Sequence, residues 1–84
     1  MKEVKINNAT GLHARPASQL VMECKKFESE ITLTRGDQTA NAKSIMSIMA
    51  MAIAGGDLIQ VTAEGSDADT AVEAIASFLE TLED

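Results

Sequence analysis

Residues 58–79, LIQVTAEGSDADTAVEAIASFL, change their period half-way along. Ile59, Val61 and Ala63 alternate with other residues, the pattern of a strand that is wet on one face. Glu64, Gly65 and Ser66 turn the chain, and Asp67 then caps a helix. Along that helix Ala68, Ala71, Val72, Ile75, Leu79 and Leu82 recur at the i, i+3, i+4, i+7 spacing, with acids between them. A half-wet strand followed by a helix with one apolar stripe calls for helices on one side of a sheet and none on the other.

The rest of the chain extends the pattern. Residues 2–7 alternate, with Val4 and Ile6 on one face, and residues 8–11 form a loop. From about residue 15 to residue 27 the set Ala17, Leu20, Val21, Cys24 and Phe27 has helical spacing, and Pro16 sits in the first turn, where proline is tolerated. Ile31 and Leu33 mark a second strand, Arg35, Gly36 and Asp37 a turn, and Ala40 and Ala42 a third strand, giving a hairpin. Ser44 caps a short helix over residues 45–53 that Gly55 and Gly56 end. The order is β-α-β-β-α-β-α: an α+β, two-layer, open-faced sandwich with a four-stranded antiparallel sheet and three helices on one face. No linker or repeat divides residues 1–84, so one domain is expected.

At 84 residues with only 2% aromatics, the core must be built from Ala, Val, Ile, Leu and Met. A chain of this size buries roughly 60 to 65% of its unfolded surface, which leaves little room for an enclosed active site. Cys24 is the single cysteine, which excludes an internal disulfide and fits a reducing, cytoplasmic setting. No apolar leader begins the chain and no membrane-length apolar run follows. All seven Lys and Arg fall in residues 1–43, while residues 44–84 carry eight acids and no base. The net charge of −6 argues against nucleic acid. An anion would be welcome only in the first half; the acidic half can equally be a solvated surface.

Residues 11–18, GLHARPAS, hold the only histidine, the only proline and one of two arginines. If a helix starts at Ala14 or Arg15, its first amides lack intrahelical partners and point back toward His13, where the helix dipole is positive. That is an anion site made of backbone. Arg15 adds a permanently charged fork suited to phosphate oxygens, and Pro16 stiffens the turn. The same positive field favours the neutral, nucleophilic imidazole, which suits a covalent phosphohistidine. On these residues alone His13 can also be an ordinary histidine near a helix start, with Arg15 in a surface ion pair. A metal site formed with Cys24 is disfavoured because Cys24 falls on the apolar helix face. No second histidine, Walker loop or carboxylate pair accompanies the motif, so nothing here activates a nucleotide or a water.

GLHARPA at residues 11–17, KSIMSIM at 43–49 and GGDLIQVTAEGSD at 55–67 together make the chain resemble the HPr family, the histidine-containing phosphocarriers of the phosphoenolpyruvate-dependent sugar phosphotransferase system. The resemblance runs over essentially the whole chain and implies the same open-faced fold. It implies a carrier and not a self-sufficient enzyme, with no cofactor. His13 would accept a phosphoryl group on Nδ1 from phosphorylated enzyme I and pass it to an enzyme IIA component of a sugar permease. Arg15 would steady the phosphoryl oxygens, and Pro16 and Ala17 would belong to the helix start that receives them.

The resemblance also implies regulation. Ser44 matches the serine modified by an ATP-dependent HPr kinase/phosphorylase in the regulated branch, whose phosphoserine form binds a catabolite control repressor. Phosphate on a helix-capping serine adds about −1.5 to −2 charge where the dipole tolerates it, so docking changes while the fold survives. Leu12, Ile45, Met46, Met49 and Met51 would form or support an adaptable apolar docking patch. The alternative is that they are core residues of a short helix, and a split is expected, with Ile45 or Ile48 partly buried and Met46 and Met49 more exposed. Ser47 and Ala52 depart from the glycines frequent at those positions and put the serine branch in doubt. A nitrogen-related or purely regulatory HPr is the alternative role. A shuttle that must dock and leave repeatedly is expected to be monomeric.

Overall fold

The alternating segments pair into one antiparallel sheet in the computed structural model, which describes residues 1–83. Its strands are β1 (Lys2–Lys5), β2 (Glu30–Arg35), β3 (Gln38–Asn41) and β4 (Leu58–Glu64), in the order β1-β4-β2-β3. The helices are α1 (Ala14–Cys24), α2 (Ile45–Met51) and α3 (Ala68–Glu80). In β4 the register sets Val4 opposite Ile59 and Leu33 opposite Val61, so the buried residues of three strands share one face. The opposite face carries Thr32 across from Thr62, and Thr34 across from both Thr39 and Gln60. No helix among the described residues covers it: α3 packs on β4, β1 and β2, α2 packs on β3, and α1 rests on α2 and α3. The open-faced sandwich expected from the sequence is the observed architecture.

Leu20, Cys24, Leu33, Ile48, Ile59, Ile75 and Leu79 are fully buried between the layers. Each apolar side chain of that size contributes about 1.5–3 kcal/mol when taken out of water.

Element ends differ from expectation for local reasons. α1 stops at Cys24, short of Phe27, because the amides of Lys26 and Phe27 switch to carbonyls three residues back and Lys43 Nζ takes the Phe27 carbonyl at 2.7 Å. α2 ends at Met51, with Ala52 in the left-handed conformation (φ 50°, ψ 49°), so an alanine ends the helix and not Gly55 or Gly56. Asp67 stands at the start of α3 but makes no side-chain cap. Its carboxylate accepts from the amides of Glu28 and Ser29, each at 2.9 Å, and from the Ser29 hydroxyl. Ala42 lies just beyond β3, its amide donating to the Ile31 carbonyl at 2.9 Å.

Candidate functional site

The loop leaving β1 is held on two sides. The Ile6 amide donates to the Asp57 carbonyl at 2.9 Å and the Gly56 amide to the Ile6 carbonyl at 2.7 Å. Asn8, buried, donates from Nδ2 to the Gly11 carbonyl at 3.0 Å. Gly11 has φ +63°, and a Cβ there would lie 2.3 Å from the Ile53 carbonyl oxygen, so no other residue fits without displacing backbone. The Leu12 amide then donates to that same carbonyl at 3.1 Å.

His13 emerges one residue later, exposed, as the N-cap of α1 in an extended conformation, with no side-chain cap bond. Its imidazole is therefore available to react. The first intrahelical bond runs from the Ala17 amide to the His13 carbonyl at 2.9 Å. Helix geometry leaves the Ala14 and Arg15 amides without a carbonyl partner inside α1, and Pro16 has no N–H. Pro16 and Ala17 are buried and belong to the helix start, as expected, with the Ala17 amide taken by the His13 carbonyl; the two first helix amides are those of Ala14 and Arg15, both exposed residues. The Arg15 guanidinium is exposed and makes no ion pair among the described residues, which disfavours the surface-pair alternative.

A hollow of about 390 Å³ lies beside His13, lined by Arg15, Pro16 and Gln19 of α1 and by Phe78, Thr81, Leu82 and Glu83 at the end of α3. These residues at and beyond the end of α3 carry no local sequence signal for a site, because only tertiary packing brings them to His13. The Thr81 hydroxyl donates to the Ser77 carbonyl at 3.0 Å and closes the helix end. His13, Arg15, Pro16 and Gln19 at the start of α1 thus face, across the hollow, the chain around the carboxyl-terminal end of α3.

Ser44 is the N-cap of α2: its Oγ accepts the Ser47 amide at 3.3 Å and its carbonyl accepts the Ile48 amide at 3.1 Å. The residues expected to form or support a docking patch divide: Met46 is 81% exposed, Met49 41% and Ile45 39%, whereas Leu12 at 3% and Met51 at 4% are core residues. Ile48 is fully buried. Leu12 is withdrawn by its bond to Ile53, and Met51 because the last turn of α2 faces the sheet. Met22 on α1 is a further exposed apolar residue, missed in the sequence because it lies off the buried stripe of that helix. Ser47 is half-buried and lines a hollow with Gln38 and Thr39.

Cys24 is buried in the core, and burial pushes its thiol up to about 12. No group of three His, Cys, Asp or Glu able to hold a metal occurs among the described residues. No helix among them is long and apolar enough to cross a membrane.

Residues 1–81 match the family model described as the PTS HPr component phosphorylation site. The chain belongs to the HPr family. It is 43% identical to the phosphocarrier protein HPr of Haemophilus influenzae, over 98% of this chain and 96% of that protein. The HPr-like protein Crh of Halalkalibacterium halodurans is likewise 43% identical, over 94% of both. A crystal structure of an HPr from Bacillus anthracis superposes with a TM-score of 0.88 at 45% identity, covering 93% of each chain. An HPr chain is a phosphocarrier of the phosphotransferase system.

Proposed function

We propose that this HPr relays a phosphoryl group through His13, from phosphorylated enzyme I to the enzyme IIA component of a sugar permease in the cytoplasm. The observation that carries the reading is His13 itself: an exposed, uncapped imidazole directly before two helix amides that have no partner in the helix. In the accepting step the Nδ1 lone pair forms a bond to phosphorus as the bond from phosphorus to enzyme I breaks, and the electron pair of that bond returns to enzyme I. In the donating step IIA takes the place of His13 as acceptor. The amides of Ala14 and Arg15, with the Arg15 guanidinium, hold the phosphoryl oxygens during both steps.

Docking falls to Ile45, Met46 and Met49, and Ser44 beside them is the regulatory position, modified by an HPr kinase/phosphorylase and read in that form by a catabolite control repressor. No cofactor enters the relay, turnover belongs to the partner enzymes, and the working form is a monomer. Intact-mass measurement after incubation with enzyme I and phosphoenolpyruvate tests the relay. One acid-labile phosphoryl group is expected on the wild type and none on His13→Ala; a stable label on the mutant would refute the assignment. Incubation with the kinase and ATP tests Ser44 in the same way.

The Crh relative favours one second reading, a regulatory or nitrogen-related HPr acting mainly as a binding module through Ser44 and α2. On that reading Ser44→Ala abolishes function while His13→Ala leaves it intact.

A further inference from the structure

The second arginine of the chain, Arg35, lies far from His13 in sequence and has no part in the site described above. Its guanidinium is half-buried and bonded to three partners. Nη1 meets Asp57 Oδ2 at 2.8 Å, and Nη2 donates to the Met51 carbonyl, in the last turn of α2, at 2.7 Å, as well as to the side chain of Gln38. The same Asp57 oxygen accepts the Ala54 amide at 2.8 Å. One planar fork therefore ties three things together: the β2–β3 turn, the end of α2, and the loop of residues 52–57.

That loop is the bed on which the His13 segment lies. Ile53 gives its carbonyl to Leu12, Ile6 exchanges bonds with Gly56 and Asp57, and the Gly11 backbone approaches Ile53 too closely for any side chain. Residues 52–57 form no strand or helix; Ile53 is buried in the core, while Ala54, Gly55 and Gly56 are exposed. The bond from the Ala54 amide, and then the Arg35 guanidinium, hold the Asp57 carboxyl below its ordinary value, so the anion that completes the clamp persists at neutral pH.

We propose that Arg35 and Asp57 are positioning residues for phosphoryl transfer, clamping the 52–57 loop so that the His13 segment and the docking helix α2 are held in one fixed relation. The proposal rests on the carrier reading of His13 and adds residues that touch neither the phosphoryl group nor a partner. Both ends of the fork are needed: contact with Asp57 fixes the bed under Leu12, and contact with Met51 fixes the end of α2.

The test uses the full chain with Arg35→Met, Asp57→Asn, both together, and the conservative Arg35→Lys, which can keep the ion pair but not the fork. Amide hydrogen exchange is read at Leu12 and Ala54 relative to Val61 in the sheet, alongside kcat/KM for phosphoryl transfer from enzyme I. In Arg35→Met the two loop amides should exchange at least about tenfold faster relative to Val61, since loss of charge-assisted bonds opens the loop locally. Transfer should fall by about the same factor. Arg35→Lys should lie between, and the double variant should be no worse than Arg35→Met, because both changes undo one clamp. If Leu12 and Ala54 lose protection only in step with Val61, the pair is merely structural and the proposal is overturned. Unchanged transfer in a variant whose loop has loosened overturns it equally. A wild-type chain that takes no phosphoryl group would refute the carrier reading and with it the role in transfer, while the exchange arm would still decide whether the clamp holds the loop.

Discussion

Ser29 and Asp67, 38 residues apart, are joined through one carboxylate oxygen, Asp67 Oδ1, which accepts both the Ser29 amide at 2.9 Å and the Ser29 hydroxyl. The pair ties the start of β2 to the start of α3. The Ser29 hydroxyl, followed by the Glu28 amide, holds the Asp67 carboxyl below its ordinary value of 3.8. A depressed folded-state value means that the stabilisation is fully present above 3.8 and is lost as pH falls through the folded value. Asp67→Asn should therefore lower the thermal midpoint at neutral pH and flatten its decline on acidification. Melting curves of both proteins from neutral pH into the acid range check this. Parallel declines would show that Asp67 contributes nothing to acid sensitivity.

The exposed guanidinium of Arg15 lines the same hollow as His13 and forms no ion pair among the described residues. Arg15→Lys keeps the charge but loses bidentate geometry, and transfer from enzyme I should fall by about tenfold in kcat/KM. Arg15→Ala should fall by about a hundredfold, the scale of removing one donor from a transition-state anion site. Both variants should melt like the wild type, since the side chain makes no ion pair among the described residues.

Ser44 has a structural task independent of modification, since its hydroxyl caps α2 through the Ser47 amide. Ser44→Ala should cost about 1 kcal/mol, whereas Ser44→Asp should change stability by less than about 0.5 kcal/mol, because aspartate caps as well as serine. Ser44→Asp should nevertheless slow transfer from enzyme I by placing charge beside Ile45 and Met46. Paired melting and transfer measurements separate the two effects.

Ala52 holds a left-handed conformation that costs an L-residue about 1–2 kcal/mol and glycine almost nothing. Ala52→Gly should raise stability by up to about 1 kcal/mol, part of the gain being offset by greater freedom in the unfolded chain. Denaturant titration measures it; a loss of stability would show that the alanine side chain contributes packing that outweighs the strain.

Element type and order, the burial of the alternating strand residues, and the exposed histidine at a helix start were all legible from spacing. What stayed hidden depends on contacts across the fold. Asp67 reads locally as a cap because it precedes a helical run, but Ser29 and Glu28 claim its carboxylate. Leu12, beside His13, reads as either patch or core, and its burial settles it as core, with its amide bonded to the Ile53 carbonyl. Arg35 in Arg-Gly-Asp reads as turn chemistry, and its ion pair with the distant Asp57 has no local signal. Phe78, Thr81 and Glu83 reach the His13 hollow only because α3 runs back to the start of α1, and no local pattern announces that.

Cys24 should be silent toward thiol reagents in the native state, since burial excludes them and its thiol is pushed up to about 12. Labelling with a maleimide should proceed only on denaturation.

That silence gives the bare threonine face a practical meaning. Thr32 and Thr62 sit opposite one another on the side of the sheet no helix covers, away from α1 and α2. A cysteine introduced at either would be the one reactive thiol in the folded chain. A fluorophore or surface tether attached there would leave His13 and the methionines of α2 unobstructed, so docking and release could be watched on single immobilised molecules.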